Sequence, residues 1–244
     1  MKLSKEQFIH KLNEKAMNAG IELNSKQLEK LYMYKELLIE WNEKINLTAI
    51  TDDEEIIDKH IIDSLYIVKY IKENQKVIDV GTGAGLPGII VAIYFESKID
   101  ITLFDALNKR IIFLQEVIDK LELKNVFAIH GRAEETSKQI EFREFYDVVV
   151  SRAVARLNIL MEITVPFVRV GGLCLYMKAE KTEEEIKESC KAACELSIKH
   201  LNTESYMLDI DGDVHTHTIL SYEKLKNTKD KYPRQYAKIK KNPL

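Results

Sequence analysis

A short apolar strand pattern runs directly into a glycine-rich turn near residue 80. Lys76-Val-Ile-Asp-Val80 indicates a buried strand, and Gly81-Thr-Gly-Ala-Gly-Leu-Pro-Gly88 follows it, before an apolar helix that ends near Phe95. Glycines allow positive φ angles and let a ligand approach the backbone closely. The first amides of the helix can then face an anionic or polar group. The pattern therefore predicts a strand–turn–helix unit that binds a ligand, in preference to a tight turn without one.

Strand and helix patterns alternate along the rest of the chain. We predict strands at 99–104, 125–129, 146–150 and 171–177, with helices at 109–121, 157–165 and 182–197. Two segments with a period of two, 206–210 and 216–222, indicate a closing hairpin around residues 211–213. Alternation of this kind gives a mostly parallel sheet with helices on both faces. We predict an α/β fold with a doubly wound, seven-stranded sheet.

The first 70 residues carry a different, helical pattern. Capping-box spacings at Ser4–Gln7, Asn24–Gln27 and Thr51–Glu54 each precede apolar residues three or four positions apart. We therefore predict an N-terminal helical extension at 1–70, a ligand-binding domain at 71–223 and a basic tail at 224–244.

Charge is distributed unevenly along the 244 residues. The formal net charge is −3, which excludes a basic coat over the whole molecule, but residues 224–244 contain eight basic residues and one acid. That tail, with Tyr232 and Tyr236 interleaved, is suited either to nucleic-acid phosphates and bases or to free solvation.

Other sequence features indicate the cellular setting. The polar start and the lack of a long apolar run predict no secretion signal and no membrane span, and hence a cytoplasmic location. Three cysteines do not make a disulfide framework. Cys190 and Cys194 lie one helical turn apart near His200, but no further ligands are evident, so we predict packing on a helix face and no metal site.

The ligand of the glycine turn is either a dinucleotide or S-adenosylmethionine. Gly83-Ala-Gly-Leu-Pro-Gly88 matches the dinucleotide pattern G-x-G-x-x-G, and Asp105 follows Gly85 by 20 residues. Asp105 is placed to accept from a ribose hydroxyl of either ligand, or to cap the following helix. Asp79 favours S-adenosylmethionine, because a carboxylate beneath the turn would repel a diphosphate but attract a sulfonium.

Several segments together resemble one family of class I methyltransferases. Asp79-Val-Gly-Thr-Gly-Ala-Gly-Leu-Pro-Gly88 is similar to motif I of that class, and its Gly-Leu-Pro-Gly ending resembles the RsmG (GidB) family. These enzymes methylate guanine N7 in the small-subunit (16S) ribosomal RNA of bacteria. The further matching segments are Trp41–Ile50, His60 with Asp63-Ser-Leu65, Asp105–Leu114, Gly131-Arg-Ala-Glu134, Asp147–Ala153, Tyr176-Met-Lys178, Tyr232-Pro-Arg234 and Pro243-Leu244.

The resemblance implies a Rossmann-like methyltransferase domain that binds S-adenosylmethionine. It implies cofactor contacts at Gly81, Leu86, Asp105, Ala133, Glu134 and Arg152, and we expect Gly83 of the same turn to join them. Two positions depart from the family pattern. Ala179 stands where a glycine is expected after Lys178, and the tail segment 235–239 is less rich in glycine than expected.

Methylation at N7 requires no general base, because that nitrogen has a lone pair in the plane of the ring. We therefore predict no catalytic acid or base, and a site that aligns N7 with the methyl carbon and the sulfur. Arg and Lys read the acceptor edge of guanine. Lys178 is the predicted guanine or phosphate contact, and Arg152 contacts either the base or the cofactor carboxylate.

Arginines near the predicted site are candidates to hold the RNA. Arg132 and Arg234, with Arg156 and the tail lysines, are predicted to contact phosphates of a loop that presents an unstacked base, so RNA binding should weaken steeply with salt.

His60 and Asp63 either contact RNA or cofactor or pair with each other or with other residues of the protein. His215 and His217 are expected to face solvent. The predicted partner is small-subunit ribosomal RNA or the subunit particle. An NAD-dependent oxidoreductase and a non-catalytic ribosome assembly factor are the alternatives.

Overall fold

A seven-stranded sheet forms the centre of the molecule. The structure is a computed structural model, and it describes residues 2–178, 182–210 and 213–244. The strand order is β3-β2-β1-β4-β5-β7-β6, in which only β7 is antiparallel to its two neighbours. The strands are β1 (Lys76–Val80), β2 (Asp100–Asp105), β3 (Val126–His130), β4 (Tyr146–Arg152), β5 (Val168–Lys178), β6 (Ile198–Ile210) and β7 (Asp213–Lys224). The predicted seven-stranded, mostly parallel sheet is confirmed.

Helices cover both faces of the sheet, as predicted for a doubly wound fold. One apolar core joins the N-terminal helices, α5 and α6 to one face, and a second core joins α8, α9 and the C-terminal segment to the other. The helices are α1 (Lys5–Asn18), α2 (Ser25–Asn42), α3 (Asp53–Glu55), a π-helical segment (Ile56–Ile62), α4 (Asp63–Leu65), a 3-10 turn (Val68–Tyr70), α5 (Gly88–Phe95), α6 (Asn108–Lys120), α7 (Ala133–Thr136), α8 (Leu157–Thr164), a 3-10 turn (Val165–Phe167), α9 (Thr182–Glu195) and α10 (Tyr236–Lys241).

The N-terminal helices begin at side-chain caps. Ser4 and Asn24 form capping boxes with Gln7 and Gln27, as predicted for α1 and α2. The third capping box was predicted at Thr51, and this is wrong. Asp52 is the cap of α3, because its carboxylate accepts from two amides of the first turn. These helices share an apolar core with the sheet, and the division at residue 70 stays a prediction.

The closing hairpin is longer than predicted. β6 and β7 contain 13 and 12 residues and pair from Ile198 with Lys224 to Ile210 with Asp213, with a register shift between His200 and Asn202. The sequence revealed only the apolar parts, because β6 is an edge strand whose first half is largely exposed. The predicted turn at 211 and 212 lies outside the described residues.

The basic tail folds back onto the domain. Lys224, the last residue of β7, is fully buried, with its Nζ 2.8 Å from Oε1 of Glu144. Arg234 binds Glu162, a fully buried residue of α8, and Ile239 of α10 is also buried. The tail is thus a packed segment, and its exposed cations in α10 are Lys238, Lys240 and Lys241.

Among residues 2–178, 182–210 and 213–244, no helix combines the length and the hydropathy that crossing a bilayer requires. The same residues contain no grouping of three or more His, Cys, Asp or Glu side chains able to hold a metal ion.

Cys190 and Cys194 are exposed, so the prediction that their side chains pack against the protein on the helix face is wrong.

Candidate active site

The glycine turn is wrapped around the carboxylate of Asp79. Asp79 Oδ2 accepts from Thr82 Oγ1 at 2.7 Å and from the Gly88 amide at 2.8 Å. Gly81, Gly83 and Gly85 have φ values of +76°, +61° and +92°, which side chains rarely adopt. Complete burial raises the pKa of Asp79 to about 6, and the hydrogen bonds from Thr82 and Gly88 offset only part of this effect. Asp79 therefore shapes the turn from beneath it.

A first cavity, of about 260 Å³, opens beside this turn at the carboxyl ends of β1, β2 and β3. We call it the glycine-loop cavity. Its walls include Gly81, Phe104, Asp105, Ala133, Glu134 and Ile163, and Arg132 lies at its rim with an exposed side chain. The structure thus brings together five of the sequence-predicted site residues, at the sheet edge where doubly wound folds bind ligands.

Asp105 supports the turn and still has acceptor capacity. Its Oδ2 accepts from the Gly83 amide at 2.9 Å and from Arg110 at 3.1 Å, and its Oδ1 accepts from the Leu107 amide at 2.9 Å. Leu107 precedes α6, which begins at Asn108, so Asp105 does not cap the first-turn amides of this helix. A carboxylate can accept about four hydrogen bonds, so these three leave room for a ribose hydroxyl.

A second, larger cavity of about 510 Å³ lies at the carboxyl ends of β4 and β5. We call it the histidine cavity, since His60, His215 and His217 border it together with Asp63, Arg152 and Lys178. Arg152 and Lys178 are the two predicted contacts that occur here. Donors and carboxylates occur together in this cavity, because Asp63 and Glu185 also line it.

Asp63 connects the N-terminal helices to three strands. Its Oδ2 accepts from Arg152 at 2.7 Å, and its Oδ1 accepts from the Tyr206 hydroxyl at 2.6 Å and lies 2.7 Å from His217 Nδ1. These partners hold the pKa of Asp63 below its ordinary value even though burial raises it. His217 therefore does not face solvent, and that prediction is wrong, because its ring turns inward to the buried carboxylate.

His60 lines the same cavity as a neutral group. Its Nε2 is 2.9 Å from Thr48 Oγ1, while its Nδ1 is buried and has no hydrogen-bond partner among the described residues. Burial, with the nearby Arg152 charge, lowers the pKa of His60 to about 4. His60 therefore borders the cavity as an uncharged ring, and its unpaired nitrogen is not accessible to a ligand there.

The loop after β4 separates the two cavities. Ala153 borders the histidine cavity, and Val154 borders the glycine-loop cavity. A Cβ atom added to Gly81 would lie only 2.5 Å from Val154 Cγ2, so only a glycine fits opposite this loop. Lys178 Nζ anchors the loop through the Ala155 carbonyl at 2.7 Å and also pairs with Glu185 at 2.7 Å.

Three predicted site residues lie away from the cavity walls. The Leu86 side chain is buried in the apolar core below the turn, and Gly83 directs its amide to Asp105. Arg234 was predicted to contact an RNA phosphate, and the structure corrects this. Its backbone amide, Nε and Nη2 all donate to Glu162, at 2.9, 2.8 and 2.6 Å, so the guanidinium pairs with a buried carboxylate of the protein.

Sequence reasoning did not place three residues at or beside the cavities. Tyr206 and His217 face Asp63 from neighbouring strands, and Tyr236 of α10 borders the glycine-loop cavity. Alternation along β6 and β7 shows which residues share a face, but no local signal indicates that Asp63 lies beside them.

The sheet order, the glycine turn and the cavities at the strand ends define a class I, Rossmann-like methyltransferase fold. The chain is similar to the crystal structure of M. jannaschii TYW2 in complex with AdoMet, with a TM-score of 0.52 and 21% identity, over 68% of this chain and 76% of that chain. This likeness concerns the fold.

The family follows from the sequence comparisons. The family model described as rRNA small subunit methyltransferase G matches residues 27–211, and the chain belongs to that family. It is 44% identical to Ribosomal RNA small subunit methyltransferase G of Alkaliphilus metalliredigens (strain QYMF), over 96% of this chain and 97% of that protein. It is 46% identical to the protein of the same name from Clostridium botulinum (strain Eklund 17B / Type B), over 94% and 95%.

Proposed function

We propose that this protein transfers a methyl group from S-adenosylmethionine to N7 of a guanine in a loop of small-subunit (16S) ribosomal RNA. The observation that carries the proposal is the pair of adjoining cavities on either side of the Gly81–Val154 contact, with the acceptors Asp105 and Glu134 in one and the donors Arg152 and Lys178 in the other. Membership of the family supports the class of reaction and of substrate. When bound, S-adenosylmethionine supplies a methyl group on a positively charged sulfur.

The two cavities suit the two ends of this cofactor. Asp105 and Glu134 are acceptors, which suits the hydroxyl donors of a ribose and disfavours a carboxylate. Arg152 and Lys178 of the histidine cavity suit an amino-acid carboxylate or the acceptor edge of guanine. The cofactor would therefore extend across the Gly81–Val154 contact, with its adenosine end in the glycine-loop cavity.

The residues of the histidine cavity suit a reaction that needs no proton removal. The pKa of His60, about 4, makes it a weak base, and Asp63 is engaged by three partners, so neither is suited to remove a proton. Lys178 has three N–H donors, of which Ala155 and Glu185 engage two. Among the described residues no further partner engages the third, which we assign to guanine O6, beside the N7 that attacks.

The test uses small subunits from a strain that lacks this gene. Purified protein and radiolabelled S-adenosylmethionine should methylate these subunits, and nucleotide mapping should place the label at N7 of a guanine. Naked ribosomal RNA in parallel identifies the form of the substrate. Subunits that gain no label at guanine N7 would contradict the proposal, and a gene deletion that leaves the modified base in place would contradict it in cells.

Lys178→Ala tests the substrate contact, with Lys98→Ala as the matched control. Lys98 is an exposed, ion-paired lysine near the opposite edge of the sheet. We expect Lys178→Ala to lower kcat/KM for the subunit about tenfold or more, in the range of base-specific contacts. Full activity would exclude the substrate role of Lys178. Weaker S-adenosylhomocysteine binding would assign the lysine to the cofactor.

A further inference from the structure

The C-terminal helix contributes an aromatic wall to the glycine-loop cavity. Tyr236, the first residue of α10, borders this cavity together with Gly81, Asp105 and Glu134, and its side chain is about one-third exposed. The other nearby walls, Phe104 and Ile163, are apolar. A flat ring beside an apolar cleft with acceptors at its edge is suited to a purine nucleoside.

Two anchors fix the position of Tyr236. On its N-terminal side, Arg234 makes three hydrogen bonds with Glu162, and the next residue of α8, Ile163, lines the cavity. On its C-terminal side, Ile239 is fully buried in the core on that face of the sheet. The ring is therefore held at the cavity by residues on either side, although its own helix has only six residues.

We propose that Tyr236 is a cofactor-binding residue that packs against the adenine ring of S-adenosylmethionine, and that Arg234 positions it. The inference rests on the proposed function, because it takes the glycine-loop cavity as the adenosine site. An RNA base is the other flat partner that a tyrosine could meet. The shared cavity with Asp105 and Glu134 favours the cofactor, since phosphates next to these carboxylates would be repelled.

Binding measurements on four variants test the contact. S-adenosylhomocysteine and 5′-methylthioadenosine, which lacks the amino acid, are titrated into each protein by calorimetry. Stacking of a base on an aromatic ring predicts that Tyr236→Leu weakens both ligands by about tenfold, and by similar factors, because the lost contact is to adenine. Tyr236→Phe keeps the ring and should bind within about twofold of the wild type.

Two variants separate the ring from the fold of the tail. Arg234→Ala should weaken both ligands as well, since it releases the segment that carries Tyr236. Lys241→Ala, exposed at the far end of α10, should bind like the wild type. Thermal unfolding accompanies each titration, and Tyr236→Leu should melt close to the wild type because leucine retains apolar contact.

The outcomes distinguish this inference from the proposed function. A wild-type protein that binds neither ligand would overturn both. If the wild type binds both ligands and Tyr236→Leu binds them with the same affinity, the role of Tyr236 is overturned and the proposed function is not. An altered KM for the ribosomal substrate with unchanged ligand affinity would likewise overturn it, and would assign the ring to RNA.

Discussion

Replacing Asp79 by asparagine should change how the stability of the protein depends on pH. The amide oxygen of asparagine can still accept from Thr82 and Gly88, so the turn keeps its acceptor. The substitution removes the charge and leaves a buried amide group, at a cost that does not vary with pH. Any difference between the two proteins that varies with pH therefore reports the ionisation of Asp79.

The magnitude follows from the pKa of Asp79 in the folded and unfolded states. Burial raises this pKa from 3.8 to about 6, so between these values the folded protein binds more protons than the unfolded chain. The stability contributed by the protonated carboxyl is complete below the unfolded pKa and is lost as the pH rises through the folded pKa. The total change is about 3 kcal/mol, at roughly 1.4 kcal/mol per unit.

Urea unfolding of both proteins at about pH 4.5 and about pH 7.5 measures the effect. Relative to Asp79→Asn, the wild type should lose about 2 kcal/mol of unfolding free energy between these pH values, which is the part of the titration that this window covers. Thr82→Val removes a hydrogen bond that lowers the pKa of Asp79, so the loss should continue to higher pH. A constant difference between wild type and Asp79→Asn would refute the reasoning.

Two stability predictions follow from close packing elsewhere. Gly88→Ala would place a methyl group 2.3 Å from Leu103 Cδ2, and we expect a loss of about 1–3 kcal/mol in urea unfolding, whereas an unchanged midpoint would contradict the geometry. Lys224→Ala removes the donor of the partly exposed Glu144 and of the Val165 and Val168 carbonyls, and should cost about 1–3 kcal/mol. The double variant Lys224→Met with Glu144→Gln should recover part of this loss in thermal unfolding, and equal losses would contradict the charge argument.

The parts of the fold that were predictable are those with short-range signals. The strand at 76–80 ends in glycines, so its boundaries and the helix after it follow from local backbone requirements. Apolar runs likewise located the other parallel strands to within a few residues, most clearly β2 and β4, which lie inside the sheet and are covered on both faces. The edge strand β6 lacks such a run, and its first half was therefore missed.

The contacts within the site were not predictable to the same extent. Asp63 and His217 are 154 residues apart in the chain, and only the packing of α4 beside the hairpin brings them together. Charge counting identified the tail as basic, but it gave no sign that Arg234 meets the buried Glu162. Sequence patterns located the ends of the strands, where ligands bind, but not the side chains that distant elements bring there.

The N-terminal helices are part of the site and not only a cover over it. The Tyr34 hydroxyl on α2 donates to the Ala84 carbonyl of the glycine turn at 2.8 Å, and Asp63 on α4 holds Arg152 in the histidine cavity. The bond from Tyr34 is buried and the bond from Arg152 is partly buried, so their loss would leave polar groups beside the two cavities without a partner. N-terminal helices that served only to enlarge the RNA-binding surface would need neither of these hydrogen bonds. The helices therefore fix the geometry on both sides of the Gly81–Val154 contact, across which the methyl group is proposed to move.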